Sequence, residues 1–269
     1  MKKQIVYYTD LDGTLLTDDK KILPFDLEQI EKFKSLGGKF AIATGRTING
    51  ARQYFDVLKP NFPCIFYNGS LIYDVNDEKI IYQNCMPEIA YEMTELITKN
   101  FPGAMTEILM ADSIYVVNVN ECGKRQLEIC EENPLELSFE DVPKKNWLKV
   151  LFAAEPEVID KIIMFAYENQ MEGTDFARSG PNYFEMLPPE SSKGRAIEYL
   201  FEKTSYKKDI LVTAGDYDND IEMLKYGDIS WTPSTAQKIT KTYAKKVSEK
   251  SNNDGATGEV ISDIIKIYF

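Results

Sequence analysis

Short apolar runs alternate along the chain with stretches whose apolar residues recur every three or four positions. Residues 4–8 gather Ile5, Val6, Tyr7 and Tyr8 into one run, which predicts a buried strand, and polar residues with a glycine follow at once. Pro24 suits the first turn of a helix on which Leu27, Ile30, Phe33 and Leu36 share one face, and Gly37 and Gly38 stop it. Residues 39–43 (KFAIA) predict a second strand, a helix through Tyr54 and Leu58 follows, and residues 64–67 predict a third strand. Residues 70–73 and 79–82 read as a hairpin. Beyond residue 84, helices are predicted near 89–97, 126–132 and 158–167, interleaved with strands at 113–119, 148–154 and 183–187. A helix through Ala196, Ile197 and Leu200, a strand at 209–214 (DILVTA) and a helix carrying Ile221, Met223 and Leu224 continue the pattern. The β-α-β order at the start implies parallel strands whose C-terminal ends share one rim. An open α/β sheet binds ligands in the crevice outside that rim.

The polar residues that follow the strands are therefore expected to fall together. Asp10 and Asp12 follow the first strand. Two ionised carboxylates side by side in a dry crevice repel, so the pair requires a cation, a shared proton or divided roles. Divided roles with a cation suit phosphoryl transfer. One carboxylate attacks phosphorus to give an aspartyl-phosphate, the other gives a proton to the leaving oxygen and later takes one from water, and Mg²⁺ neutralises the gathered charge. Gly13 and Thr14 would let backbone N–H groups approach the phosphoryl oxygens, although Asp-Gly in isolation is equally a turn signal. Thr44, Gly45 and Arg46 follow the second strand, where the hydroxyl and the glycine N–H can donate to a phosphoryl oxygen or Thr44 can cap a helix. Asn68 and Gly69 follow the third, as a turn or facing the site. Lys193 opens a helix, where a cation opposes the macrodipole unless an anion is near; a solvated lysine is the alternative. Asp216, Asp218, Asn219 and Asp220 crowd the end of the last buried strand, which is costly without a cation or a helix N-terminus, and the spacing is not that of a calcium loop. Magnesium is the reading favoured there.

Composition narrows the chemistry. At 269 residues, with 43% hydrophobic and 28% charged positions, the chain can bury one large α/β core or two smaller ones. A net charge of −12 argues against nucleic acid or an anionic membrane as partner, so an anionic substrate must be met locally by a metal or a few cations. The absence of histidine excludes Ser-His-Asp and Cys-His catalysis and every His-ligated metal, and leaves acid-base work to carboxylates, Lys, Tyr or Cys. Cys64, Cys85, Cys122 and Cys130 form no CxxC pair and read as reduced, mostly buried thiols. No apolar run is long enough to span a bilayer, and the opening Met-Lys-Lys leads straight into a strand, so a cytoplasmic location is expected. Residues 84–187 carry no chemical motif and are expected to be a domain inserted between core segments 1–83 and 188–269.

In order along the chain, DLDGT at residues 10–14, ATGR at 43–46, Lys193-Gly194 and GDxxND at 215–220 resemble the four motifs of the haloacid dehalogenase (HAD) superfamily. The resemblance implies an α/β fold with a Rossmann-like parallel-sheet core, helices on both faces, and an inserted α/β cap of the kind found in the Cof-type sugar-phosphatase branch. That branch includes phosphatases acting on hexose phosphates, flavin mononucleotide or pyridoxal phosphate. It also implies that Asp10 is the nucleophile and Asp12 the general acid/base, and that Thr44, Gly45 and Lys193 hold the phosphoryl group. Asp10, the Asp12 carbonyl and Asp216 would bind Mg²⁺, with Asn219 and Asp220 supporting the metal or Lys193. An Asp at position 12 is what phosphatases and phosphomutases of the superfamily show, whereas its transport ATPases carry Thr. Residues 229–233 (ISWTP) stand where the branch usually has a Gly-Val-Ala-Met-Gly-Asn-like segment, while residues 251–255 resemble its usual loop near the C-terminus. The expected activity is Mg²⁺-dependent hydrolysis of small phosphorylated metabolites by a monomer or homodimer. A phosphosugar mutase using the same chemistry and a non-catalytic phosphosugar-binding regulator are the alternatives. Arg46, Asn68 and the cap residues Arg125, Arg178, Asn182 and Tyr183 are candidates to contact the leaving group.

Overall fold

The computed structural model describes residues 3–130, 133–169 and 171–269, without the side chains of residues 129 and 130. The chain divides into two compact units. One comprises the residues up to Gly45 with Arg52–Tyr82 and Ser192–Phe269, the other Arg46–Ala51 and Gln83–Ser191.

In the first unit β1 (Ile5–Thr9) is buried at every residue, as a central parallel strand covered on both faces must be. It is followed by α1 (Pro24–Ser35), which starts at a proline whose fixed φ suits the first turn, then by β2 (Lys39–Ile42) and α2 (Ile48–Leu58), whose first residues up to Ala51 fall in the second unit. The third strand, β3 (Cys64–Phe66), pairs antiparallel with β4 (Leu71–Asp74), and β4 neighbours β5 (Lys79–Gln83) in a small separate sheet. An isolated parallel bridge, Ala43 with Ile65, joins β3 to the strand before it. The turn after β3 is a tight 3₁₀ turn, Tyr67–Gly69, in which Tyr67, Asn68 and Gly69 all have positive φ (52°, 55° and 108°).

The second unit carries α3 (Glu88–Asn100), β6 (Met105–Leu109), β7 (Ile114–Val117), α4 (Glu121–Cys130), β8 (Leu135–Glu136), β9 (Lys149–Ala153), α5 (Pro156–Glu168), β10 (Asp175–Gly180) and β11 (Tyr183–Leu187). Its six strands run in the order β10-β11-β9-β6-β7-β8, antiparallel except for β7 with β8. One face packs Ile108, Val150, Phe152, Phe184 and Met186 with Ile97 of α3 and Ile159 and Ile162 of α5. Side chains alternate along a strand, so Glu107, Lys149 and Glu185 project from the other face, with Lys149 Nζ 2.7 Å from Glu185 Oε1. The helix expected at 126–132 begins instead at Glu121, and residues 131 and 132 lie outside the described residues.

The chain returns through α6 (Lys193–Lys203), β12 (Ile210–Ala214), α7 (Ile221–Tyr226), β13 (Ile229–Thr232), α8 (Lys238–Tyr243), β14 (Lys246–Val247) and α9 (Ala256–Tyr268). The main sheet is wholly parallel in the order β14-β13-β12-β1-β2, so the strand order reverses between β12 and β1. Such a reversal opens a crevice outside the strand ends, and the residues after β1 and β12 enter it. Adjacent tyrosines show that both faces are covered. Tyr7 lies edge-on to Phe33 of α1, which meets Phe269 after α9, whereas Tyr8 meets Phe62, which stacks on Phe201 of α6. Cys64, Cys85 and Cys122 are free thiols, and burial pushes Cys64 up to about 12. Among the described residues no helix is long and apolar enough to cross a membrane.

One buried carboxylate in this core carries no chemistry. Asp26 of α1 accepts the Gly258 N–H of α9 at 2.6 Å through Oδ1, while Oδ2 is buried without a hydrogen-bond partner. Burial pushes the carboxyl up to about 6, against the Gly258 bond and Lys250. The folded protein thus holds this proton more tightly than the unfolded chain does. The resulting stabilisation is present below pH ~4 and is lost as pH rises through about 6. Asp26→Asn keeps the acceptor for Gly258 and removes the charge. It is expected to raise stability by about 3 kcal/mol at pH 7 and by far less at pH 4, measured by urea unfolding; an equal effect at both would refute this account.

Candidate active site

Asp10 leaves β1 with its N–H bonded to the Ala214 carbonyl at 2.9 Å, which draws the ends of β1 and β12 together. Lys193, at the first position of α6 and fully buried, donates to Asp10 Oδ1 and to Asp220 Oδ1, each at 2.7 Å. The helix-opening lysine therefore does sit on anions, and they belong to the protein. Asp220 accepts through its other oxygen from the N–H groups of Asp216 (2.9 Å) and Tyr217 (3.1 Å), so it fixes both the lysine and the turn after β12. Thr14 donates to Asp216 Oδ1 at 2.7 Å. Gly13, at φ +78°, is required on two counts: a side chain would be strained there, and its Cβ would lie 2.5 Å from Asp216 Oδ2.

Carboxylate oxygens of Asp10, Asp216 and Asp220 lie within 4.8 Å of one another. Burial pushes the Asp10 carboxyl well above the ordinary range despite Lys193, and Asp220, Asp216 and Asp12 push it further. Asp216 is pushed up to about 6 by burial and by Asp220. Burial alone would lower Lys193, but Asp10 and Asp220 reverse that and hold its ammonium above the ordinary lysine value. Three carboxylates sharing one ammonium are short of positive charge, and hard oxygen donors of this kind suit a small divalent cation. Both Asp220 oxygens are already engaged by N–H donors. Asp10 and Asp216 are thus the pair with oxygens to offer a metal.

Thr44 is buried just beyond β2, its N–H bonded to the Ile65 carbonyl at 2.9 Å and its carbonyl accepting from Asn68 N–H at 3.1 Å. A Cβ at Gly45 would stand 2.7 Å from Asn68 Oδ1, so a side chain there would displace Asn68. Asn68 in turn accepts from Asn219 Nδ2 at 2.9 Å, so the turns after β3 and β12 are tied together. Asp10, Thr44, Gly45, Asn68, Lys193, Asp216, Asn219 and Asp220 all belong to the first unit. Arg46 and Arg178 belong to the second. Arg46 donates to the Gly50 carbonyl at 3.0 Å, and Arg178 donates to Asp160 (2.6 Å) and to the carbonyls of Gly180 and Pro181. Asn182 is spent on the Ala154 carbonyl at 2.9 Å, Tyr183 begins β11, and Arg125 is exposed on α4. The ISWTP segment forms β13 and Pro233, and its Trp231 carbonyl accepts from Gly215 N–H at 3.3 Å, bracing the turn before Asp216.

Two features escape a reading of the sequence. Lys20 donates to Asp12 Oδ1 at 2.7 Å, although it sits in a run of exposed charges, Asp18-Asp19-Lys20-Lys21. Glu107, Lys149 and Glu185 are nearly buried inside strands; the available signal was a charge at alternate positions of otherwise apolar runs.

Residues 7–259 match the haloacid dehalogenase-like hydrolase family. A Streptococcus pyogenes (serotype M6) protein provisionally named a phosphatase is 28% identical over 258 residues, 94% of this chain and 95% of its own. The 5-amino-6-(5-phospho-D-ribitylamino)uracil phosphatase YitU of Bacillus subtilis is 22% identical over 97% of this chain and 96% of its own. The crystal structure of a Thermotoga maritima protein, 27% identical, matches with a TM-score of 0.84 over 98% of this chain and 97% of that one. With the family match running from within β1 into α9 and through all four motif clusters, the chain belongs to the haloacid dehalogenase-like hydrolase family.

Proposed function

We propose that this hydrolase is a Mg²⁺-dependent phosphatase of small phosphate monoesters, sugar phosphates or related metabolites, acting through an aspartyl-phosphate on Asp10. The observation that carries the reading is the buried Lys193 bridging Asp10 and Asp220 beside Asp216. With Asp216 beside them, the carboxylates outnumber the one ammonium, and a divalent cation would balance that surplus of negative charge. The phosphatase names of the relatives, one of them for a phosphorylated ribityl compound, support the same class.

An Asp10 oxygen attacks phosphorus in line; the O–P bond forms as the ester P–O bond breaks, and Asp12 gives its proton to the departing oxygen. Asp12, now a carboxylate, takes a proton from water as the water oxygen bonds phosphorus and the Asp10 O–P bond breaks. Lys193, the Thr44 hydroxyl and the Gly45 N–H hold the charge on the remaining phosphoryl oxygens. Asp10, Asp216 and the Asp12 carbonyl would hold Mg²⁺, which would supply positive charge to offset the buried carboxylates and the phosphoryl group.

The test is phosphate release from a panel of sugar phosphates, nucleotides, flavin mononucleotide and pyridoxal phosphate, with Mg²⁺ and then with chelator. Release that depends on Mg²⁺ is expected, strongest on one class of ester. No release from any ester by a folded protein would overturn the proposal.

A further inference from the structure

We infer that Lys20 is a positioning residue for Asp12, delivered to it by a turn that is anchored on both sides; the inference rests on Asp12 being the acid/base. Leu16 bridges Ile22 in antiparallel fashion, which folds residues 17–21 into a tight loop. Within it Lys20 N–H bonds the Thr17 carbonyl at 2.8 Å, Thr17 N–H bonds the Lys21 carbonyl at 2.9 Å, and Lys21 N–H bonds Thr17 Oγ1 at 3.1 Å. The position closing such a turn takes left-handed backbone and normally Gly or Asn. Here it is a lysine at φ 60°. A non-glycine residue persists in that region only where its surroundings over-determine it.

The surroundings do so. Tyr54 Oη donates to the Lys20 carbonyl at 3.3 Å. On the other side Asp18 accepts from Asn252 Nδ2 (3.1 Å) and Asn253 Nδ2 (3.0 Å), and its N–H donates to Asn253 Oδ1 at 3.0 Å. Asn252 is itself buried and also bonds the Leu16 carbonyl at 3.0 Å. The loop at residues 251–255 thus has a use that its distance in sequence from the other motifs conceals: it clamps the turn that presents Lys20.

Stability does not explain the arrangement. The Lys20 and Asp12 side chains are 46% and 36% exposed, and an ion pair in that setting stabilises a fold little, whereas a strained backbone opposes folding. What the arrangement does secure is the orientation of the Asp12 carboxylate, on the residue that must meet first the leaving oxygen and then water. Proton transfer needs that placement within a fraction of an ångström.

The experiment compares wild type, Lys20→Met, Lys20→Arg and Lys20→Gly on the best ester of the panel. Lys20→Met is expected to lower kcat about 10- to 100-fold with KM changed by less than about twofold, and Lys20→Arg to restore most of it. Lys20→Gly is expected to lose kcat like the Met variant while its thermal midpoint stays level or rises, because glycine accepts the left-handed backbone. Opposite movement of activity and stability at one residue is not what a structural lysine gives. Wild-type kcat in Lys20→Met, or losses of kcat that follow losses of thermal stability, would overturn the assignment while leaving the phosphatase reading intact. A wild type that turns over no ester would instead remove that reading, and this assignment with it.

Discussion

Asp10→Asn is expected to be folded and inactive, with phosphate release lower by about 10⁴-fold or more. The amide oxygen cannot attack phosphorus, so the covalent route closes, whereas the remaining donors still bind the ester. The fold has reason to tolerate the change. The carboxamide oxygen of the variant can accept from Lys193 where Asp10 does now at 2.7 Å, and Asp220 still neutralises the ammonium. Burial and the neighbouring carboxylates hold Asp10 well above the ordinary carboxyl value, so its ionised form costs the metal-free protein stability at neutral pH, and the amide removes that cost. The thermal midpoint without metal is therefore expected to equal or exceed that of wild type, while the stabilisation conferred by Mg²⁺ shrinks because one of its ligands has lost its charge. A variant that keeps most of its activity would refute the nucleophile assignment.

The rim of the main sheet was legible because each strand there is an apolar run that stops abruptly at polar residues, and parallel order puts those stops together. Lys193 was legible for a different reason: a cation at a helix start calls for an anion, and Asp10 and Asp220 supply it. The third strand was only half legible. Its apolar run is real and the turn that Asn-Gly signals is present, but β3 pairs with β4 in a separate sheet, so Asn68 arrives on a left-handed turn where it accepts from Asn219. In the second unit β6 was hidden by Thr106 and Glu107, which break its apolar run although all five residues are buried, and β10 is a polar edge strand. The first turns of α4 were hidden by Gly123. A Cβ at that glycine would stand 2.2 Å from Met105 Sδ, so any side chain there would require the methionine to shift. Lys20 could not be read at all: the turn position it fills announces itself by Gly or Asn, and a lysine among exposed charges looks like solvated surface.

Lys193→Met is expected to damage activity and fold together, which separates it from Asp10→Asn. The methionine keeps the apolar stem but leaves Asp10 and Asp220 facing each other without the ammonium, in a site where Lys193 is fully buried. Removing one member of a buried ion network costs about 3–5 kcal/mol, which for a protein of this size corresponds to a fall in thermal midpoint of roughly 10 °C. Turnover is expected to fall by at least about 10²–10³-fold through loss of a positive charge at the phosphoryl oxygens. A second change tells the two effects apart. Asp220→Asn in the Lys193→Met background keeps an acceptor for the Asp216 and Tyr217 N–H groups and can turn its amide N–H₂ toward Asp10, so one buried negative charge disappears and a donor replaces the lysine. The double variant is expected to regain much of the lost stability and none of the activity. Recovery of both would mean that Lys193 only holds the fold, and recovery of neither would mean that the cost of the single change is packing rather than charge.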